Sequence, residues 1–128
     1  MAHGGHVVTT TFEHPAVLEA AKQIADVTFV APDRNGLIDP LDIQRAIRPN
    51  TRLVSVMHAN NEIGTIQPIA DIAALANERG ALFHTDAVQT PGKLALDVKS
   101  LDCDFLSLSA HKLHAPKGIG MLYARRLV

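Results

Sequence analysis

The chain reads as an α/β protein, with a mostly parallel sheet covered by helices. Three observations predict this. Short β-rich apolar runs alternate with helical segments along almost the whole sequence. Most connections between successive runs are long enough to hold a helix, as parallel pairing requires. Polar clusters fall directly after several of the predicted strands, where open parallel sheets bind their ligands.

The elements follow in order. Residues 7–11 (VVTTT) form a strand, and residues 15–25 a helix entered through His14-Pro15, since proline suits a first helical position. Residues 27–30 (VTFV) are a second strand, closed by the dense turn signal Pro32-Asp33-Arg34-Asn35-Gly36. Asp39 caps a helix that starts at Pro40 and runs to about Ile47. Residues 53–57 (LVSVM) are a strand. Residues 68–79 are a helix with Gly80 in the stop position. Residues 81–84 (ALFH) and 105–109 (FLSLS) are further strands. The stretch between Asp86 and Asp104 is expected to hold loop, a short helical turn and then Leu94-Ala95-Leu96-Asp97. Residues 119–124 follow too closely for a helical crossover, so that strand is expected antiparallel to its predecessor.

Length and composition bound the function. A chain of 128 residues, 47% apolar and 20% charged, is the size of one domain with a substantial core, expected over residues 1–128. Twelve basic residues against thirteen acidic ones provide no field to attract nucleic acid or an anionic membrane. No apolar stretch approaches a membrane-spanning length, since Asp71 interrupts the longest. Residues 1–6 (MAHGGH) lack the pattern of a signal peptide. A single cysteine excludes an internal disulfide, and the cytoplasm is the expected compartment.

Candidate chemistry centres on Ser109-Ala110-His111-Lys112, at the end of the apolar run 105–109. A lysine just past a buried strand can be held and partly desolvated, its plain alternative being an ordinary exposed loop lysine. Burial favours the neutral amine, the form suited to Schiff-base chemistry. Such a lysine suggests pyridoxal phosphate, whose ring nitrogen needs a carboxylate partner. Asp86 closes the strand before it, and neighbouring strand ends can bring Asp86 and Lys112 to opposite ends of one ring. Gln89 and Asn61 suit the ring oxygen, and Ser109 and His111 suit the phosphate. His14 opens a helix at the same sheet edge, where it can stack on the ring and move protons. Each also has a plain structural alternative: turn residues for Asp86 and Gln89, a loop amide for Asn61, a helix cap for His14.

Residues 109–120 (SAHKLHAPKGIG) resemble the lysine signature of the class-V, fold-type-I pyridoxal phosphate enzymes. Within that class the chain is similar to cysteine desulfurases and selenocysteine lyases, through residues 13–18 (EHPAVL), 57–64 (MHANNEIG) and 84–93 (HTDAVQTPGK), in the family's order. The resemblance runs from His6 onward. It implies that Lys112 bonds the cofactor and Asp86 partners the pyridine nitrogen. It makes His14 the histidine over the ring, with acid–base work to do. It implies that Asn61 and Gln89 meet the ring oxygen, and Ser109 and His111 the phosphate. The implied reaction removes sulfur from L-cysteine, leaving alanine and a persulfide for iron–sulfur cluster or other sulfur-transfer pathways. A homodimer and a sulfur-acceptor or scaffold protein are the implied partners.

The family's attacking cysteine and its substrate-binding arginine belong to a C-terminal portion, and a glycine/threonine phosphate loop precedes the first strand. The resemblance therefore implies that these residues are the central part of a large domain, inactive alone. Cys103, upstream of the lysine, does not match the attacking cysteine. Two other readings stand beside this one. One is a non-catalytic module that keeps the fold; the other is a metal protein using His3-x-x-His6 and His111-x-x-His114, pairs with no supporting ligand cluster.

Overall fold

The computed structural model describes residues 4–24, 26–60 and 64–125, and of Ile24 and His111 the backbone alone. The described residues form one six-stranded sheet in the order β2-β1-β3-β4-β5-β6. Its strands are β1 (His6–Thr10), β2 (Asp26–Val30), β3 (Thr51–Ser55), β4 (Leu82–Asp86), β5 (Phe105–Ser109) and β6 (Gly120–Ala124). The first five are parallel, with Val8 opposite Thr28 and Val54, and His84 opposite Ser55 and Phe105. As expected, β6 runs antiparallel to β5.

Among the described residues, four α-helices fill the connections: α1 (Pro15–Ile24), α2 (Pro40–Ala46), α3 (Ile69–Glu78) and α4 (Val98–Leu101). Asp39 caps α2 by accepting from the Leu41 amide at 2.9 Å. Gly80 ends the turn after α3 at φ +74, a left-handed geometry that a side chain would strain. The irregular segment differs from expectation in its order. The helical turn follows residues 94–97 as α4, because the Asp97 carboxylate caps it through the Lys99 amide and the Ser100 hydroxyl. β3 starts two residues earlier than the apolar pattern suggests. Thr51 is drawn into the sheet by His6, whose Nδ1 lies 2.7 Å from the Thr51 hydroxyl. With Nε2 2.8 Å from the Thr28 hydroxyl, the buried His6 ring is bonded on both sides, whereas His3 lies outside the described residues.

Alternation divides the sheet's two faces. Val8, Val54, Phe83 and Leu106 point into a core built with Ile43 of α2 and Ile69, Ile72, Ala73 and Ala76 of α3. Cys103 is fully buried in this core, and its surroundings raise the thiol above its ordinary value by desolvation. Val7, Thr9, Leu53, Ser55 and His84 point the other way, towards Ala16, Val17, Ala20 and Ala21 of α1, around a cavity of about 320 Å³. The strand order reverses between β1 and β3, since the chain leaves β1 for one edge and later returns on its other side. A crevice beyond the strand ends at such a reversal is the usual ligand site of an open α/β sheet.

Candidate active site

A cavity of about 380 Å³ opens at the C-terminal ends of the central strands. It is lined by His14, Ala16, Met57, Ala59, Asp86, Val88, Gln89, Ser109 and Lys112. Five residues predicted from the sequence thus meet around one space: His14, Asp86, Gln89, Ser109 and Lys112. Asn61 lies outside the described residues, and so does the side chain of His111. Met57, Ala59, Val88 and Ala16 were not singled out by sequence, since apolar and small residues carry no chemical signal.

Each polar residue reaches the cavity for a local reason. Asp86 is the last residue of β4 and is buried. Its backbone carbonyl accepts the His58 amide at 2.9 Å, and its Oδ1 accepts the Val88 amide at 3.0 Å. The turn role and the site role coincide, because that turn fixes the carboxyl at the cavity wall and brings Gln89 round beside it. His14 caps α1: its Nδ1 accepts the Ala16 amide at 3.1 Å, and its carbonyl accepts from Val17 and Leu18. With Nδ1 an acceptor, the neutral ring carries its proton on Nε2. Here too, capping and site roles are compatible.

Lys112 lies in a single turn of 3-10 helix, Ala110–Leu113, and its side chain is exposed, so of the two readings of this lysine the structure sides with the exposed one over the desolvated one. The turn starts where the Ala110 amide bonds the Ile119 carbonyl, and it closes as His114 takes a left-handed φ of 58 and donates to the Ala110 carbonyl. Lys112 and Leu113 are both exposed on this turn, so the apolar run before it does not carry the amine into the interior.

Buried polar groups in and near these strand ends are largely hydrogen-bonded. His84 bridges three strands, with Nδ1 2.8 Å from the Ser55 hydroxyl and Nε2 2.8 Å from that of Ser107. Its burial holds the imidazole below its ordinary range, while Asp86 pulls the other way. His58 Nδ1 lies 2.9 Å from the Thr90 hydroxyl and is likewise lowered by burial. Glu13 is buried beside His14. Its carboxyl is pushed up to about 7, mainly by desolvation, with bonds from Thr10 and Met57 opposing and Asp86 adding to the rise.

The aminotransferase class-V family matches residues 1–128. The chain belongs to that family. Class-V relatives include the cysteine desulfurase IscS of Anaeromyxobacter dehalogenans (strain 2CP-C), 50% identical over 129 residues, covering 98% of this chain and 32% of the relative. The IscS of Pectobacterium atrosepticum is 49% identical over 127 residues, covering 96% and 31%. A solved structure described as SspA in complex with cysteine superposes with a TM-score of 0.91 at 47% identity, over 95% of this chain and 36% of that one. A NifS-like protein superposes with a TM-score of 0.92 at 40% identity, over 98% and 36%. The chain spans about a third of the length of the curated relatives it matches. Its sheet is that of the fold-type-I pyridoxal phosphate enzymes.

The residues present fit that cofactor. An amine and a buried carboxylate line one cavity, and residues bearing a hydroxyl, an amide and an imidazole line it with them. This is the donor set that a pyridine aldehyde bearing a phosphate requires. No helix among the described residues is long and apolar enough to cross a membrane.

Proposed function

We propose that this chain forms the pyridoxal phosphate site of a cysteine desulfurase-type enzyme, as the central part of a large domain. The observation that carries the reading is the meeting of Lys112 and Asp86 on one cavity at the sheet's carboxyl edge. Bound there, the cofactor would supply an aldehyde for amines and a ring that withdraws electrons from a substrate's α-carbon. The Lys112 amine would hold the aldehyde and give way to the substrate amine. Asp86, fixed by the Val88 amide, would hold a proton at the ring nitrogen. Gln89 and Asn61 would bind the ring oxygen, and Ser109 and His111 the phosphate. His14 would cover the ring face, and its Nε2, left free for the site by the Nδ1 cap, would carry a proton.

The substrate we propose is L-cysteine, with sulfur passing to a protein thiol and on to iron–sulfur or other sulfur-transfer pathways, and alanine as the second product. Similarity to IscS relatives and to a structure holding cysteine supports this choice. A cytoplasmic homodimer is part of the same proposal. Cys103 does not take the attacking role, because its thiol is fully buried and burial disfavours the thiolate.

Titration of the chain with pyridoxal 5'-phosphate is expected to give a yellow chromophore that Lys112→Ala abolishes. For Asp86→Asn, uptake is expected to weaken by about tenfold or more, the loss of one charge-assisted bond. Undiminished colour in Lys112→Ala would remove the lysine from its assigned role. With L-cysteine added, the chain by itself is expected to release no sulfide above a cofactor-only blank. Steady sulfide release with equimolar alanine would show that another group does the work assigned to the attacking cysteine.

A further inference from the structure

Glu13 has no place in the scheme above, yet it joins the two strands between which the sheet order reverses. It is 4% exposed. Its Oε1 accepts the Thr10 hydroxyl at 2.6 Å and the Met57 amide at 2.8 Å. Its Oε2 is buried with no hydrogen-bond partner among the described residues. Thr10 ends β1, while Met57 lies just past β3. The paired register of those strands stops at Thr9 and Ser55, and beyond that pair the Glu13 carboxyl spans the gap.

The consequences reach the cavity from both sides. His14, the next residue in the chain, lines the cavity, and so does Met57. Directly after Met57, the His58 amide bonds the Asp86 carbonyl. One carboxyl thus ties the His14 side of the crevice to the side that leads to Asp86. Burying an acid with an unpartnered oxygen costs stability, and a purely structural bridge would be cheaper with neutral groups. Such expense at a ligand crevice is typical of residues kept for the site rather than for the fold.

We propose that Glu13 is a positioning residue of the cofactor site, clamping the ends of β1 and β3 so that His14 and Met57 hold their places on the cavity wall that Asp86 completes. The proposal rests on the cofactor reading above and adds a residue to it. Glu13 acts through its neighbours, not by touching the cofactor.

The test compares the chain with its Glu13→Gln and Glu13→Ala variants by two readouts. The first is amide hydrogen exchange without cofactor. Glu13→Gln keeps an oxygen that can accept both bonds, so exchange at Met57 is expected within about threefold of wild type, whereas Glu13→Ala is expected to speed it by about tenfold or more. Exchange at Ala76 in α3 serves as the control and is expected to stay unchanged. The second readout is pyridoxal 5'-phosphate affinity from the chromophore. A loss of about tenfold is expected for Glu13→Ala, with Glu13→Gln restoring it to within about threefold. Wild-type affinity in Glu13→Ala, or a Gln variant no better than the Ala variant, overturns the proposal. If wild type itself takes up no cofactor, the cofactor reading fails on its own account and the positioning role falls with it. The Met57 exchange then still reports whether the bridge exists. Should Glu13→Ala not fold, Thr10→Val removes the β1 half of the bridge alone. It is expected to weaken uptake by about threefold, and unchanged uptake there would overturn the proposal equally.

Discussion

At neutral pH the fold keeps a proton on much of its Glu13 and keeps His6, His58 and His84 without one. The main cause in each case is burial, which penalises the charged form. The two kinds of group act in opposite directions on stability. The Glu13 carboxyl would release its proton near 4.5 in an unfolded chain but holds it to about 7 here. Unfolding between those values therefore releases a proton, and its contribution is full below 4.5 and lost as pH rises through 7. The histidines are lowered from 6.5, so unfolding takes up protons below that value and stability falls on acidification. Urea unfolding of Glu13→Gln against wild type isolates the carboxyl. The difference in favour of the variant is expected to grow across this window by on the order of 3 kcal/mol, then level off. A difference that stays flat with pH would mean that Glu13 ionises normally. At this scale the sequence disclosed the charged and polar candidates that sit at strand ends, because strand ends are recognisable. It did not disclose Glu13, though it is the neighbour of a predicted site residue. A carboxylate in a loop looks solvated until the fold encloses it. For Lys112 the sequence left exposure and desolvation both open, because burial depends on what packs over a turn, not on the run that precedes it.

The elements themselves were legible wherever a period or a cap marks them. Asp39-Pro40 and Gly80 bound their helices as expected, since each acts through its own backbone geometry. The 3-10 turn at Ala110–Leu113 was not legible, because four residues carry no period. Nor was the bond that joins two of the long connections. Gln67, 3% exposed, accepts the Ile38 amide at 2.9 Å and donates to the Gly36 carbonyl at 2.7 Å, linking the loop before α2 to the loop before α3. Both partners are distant in sequence, so nothing local reveals them. Gln67→Leu keeps the volume but leaves a buried donor and acceptor unpaired, for an expected loss of about 2–4 kcal/mol. The denaturation midpoint reads this directly; a change under about 0.5 kcal/mol would mean that water replaces the amide.

For the whole molecule, the strand order could be anticipated only as far as parallel neighbours with a final antiparallel strand. The reversal between β1 and β3 comes from long-range pairing, and it decides where the crevice lies. The same topology leaves β6 with one paired side among the described residues, and it carries Met121 and Leu122, 58% and 62% exposed. Exposed apolar strands of this kind pair with other chains. Sedimentation is expected to show concentration-dependent association of the chain, reduced by Met121→Lys, and a strictly monomeric wild type would contradict this. Above all, the same topology brings Lys112 and Asp86 to one cavity, where the proposed cofactor would bind. That binding is read by reducing the chain with borohydride in the presence of pyridoxal 5'-phosphate and mapping the added mass by peptide analysis. A single modified peptide carrying the cofactor on Lys112 is expected. Modification spread over Lys93, Lys99 and Lys117, or none on folded protein, would contradict it.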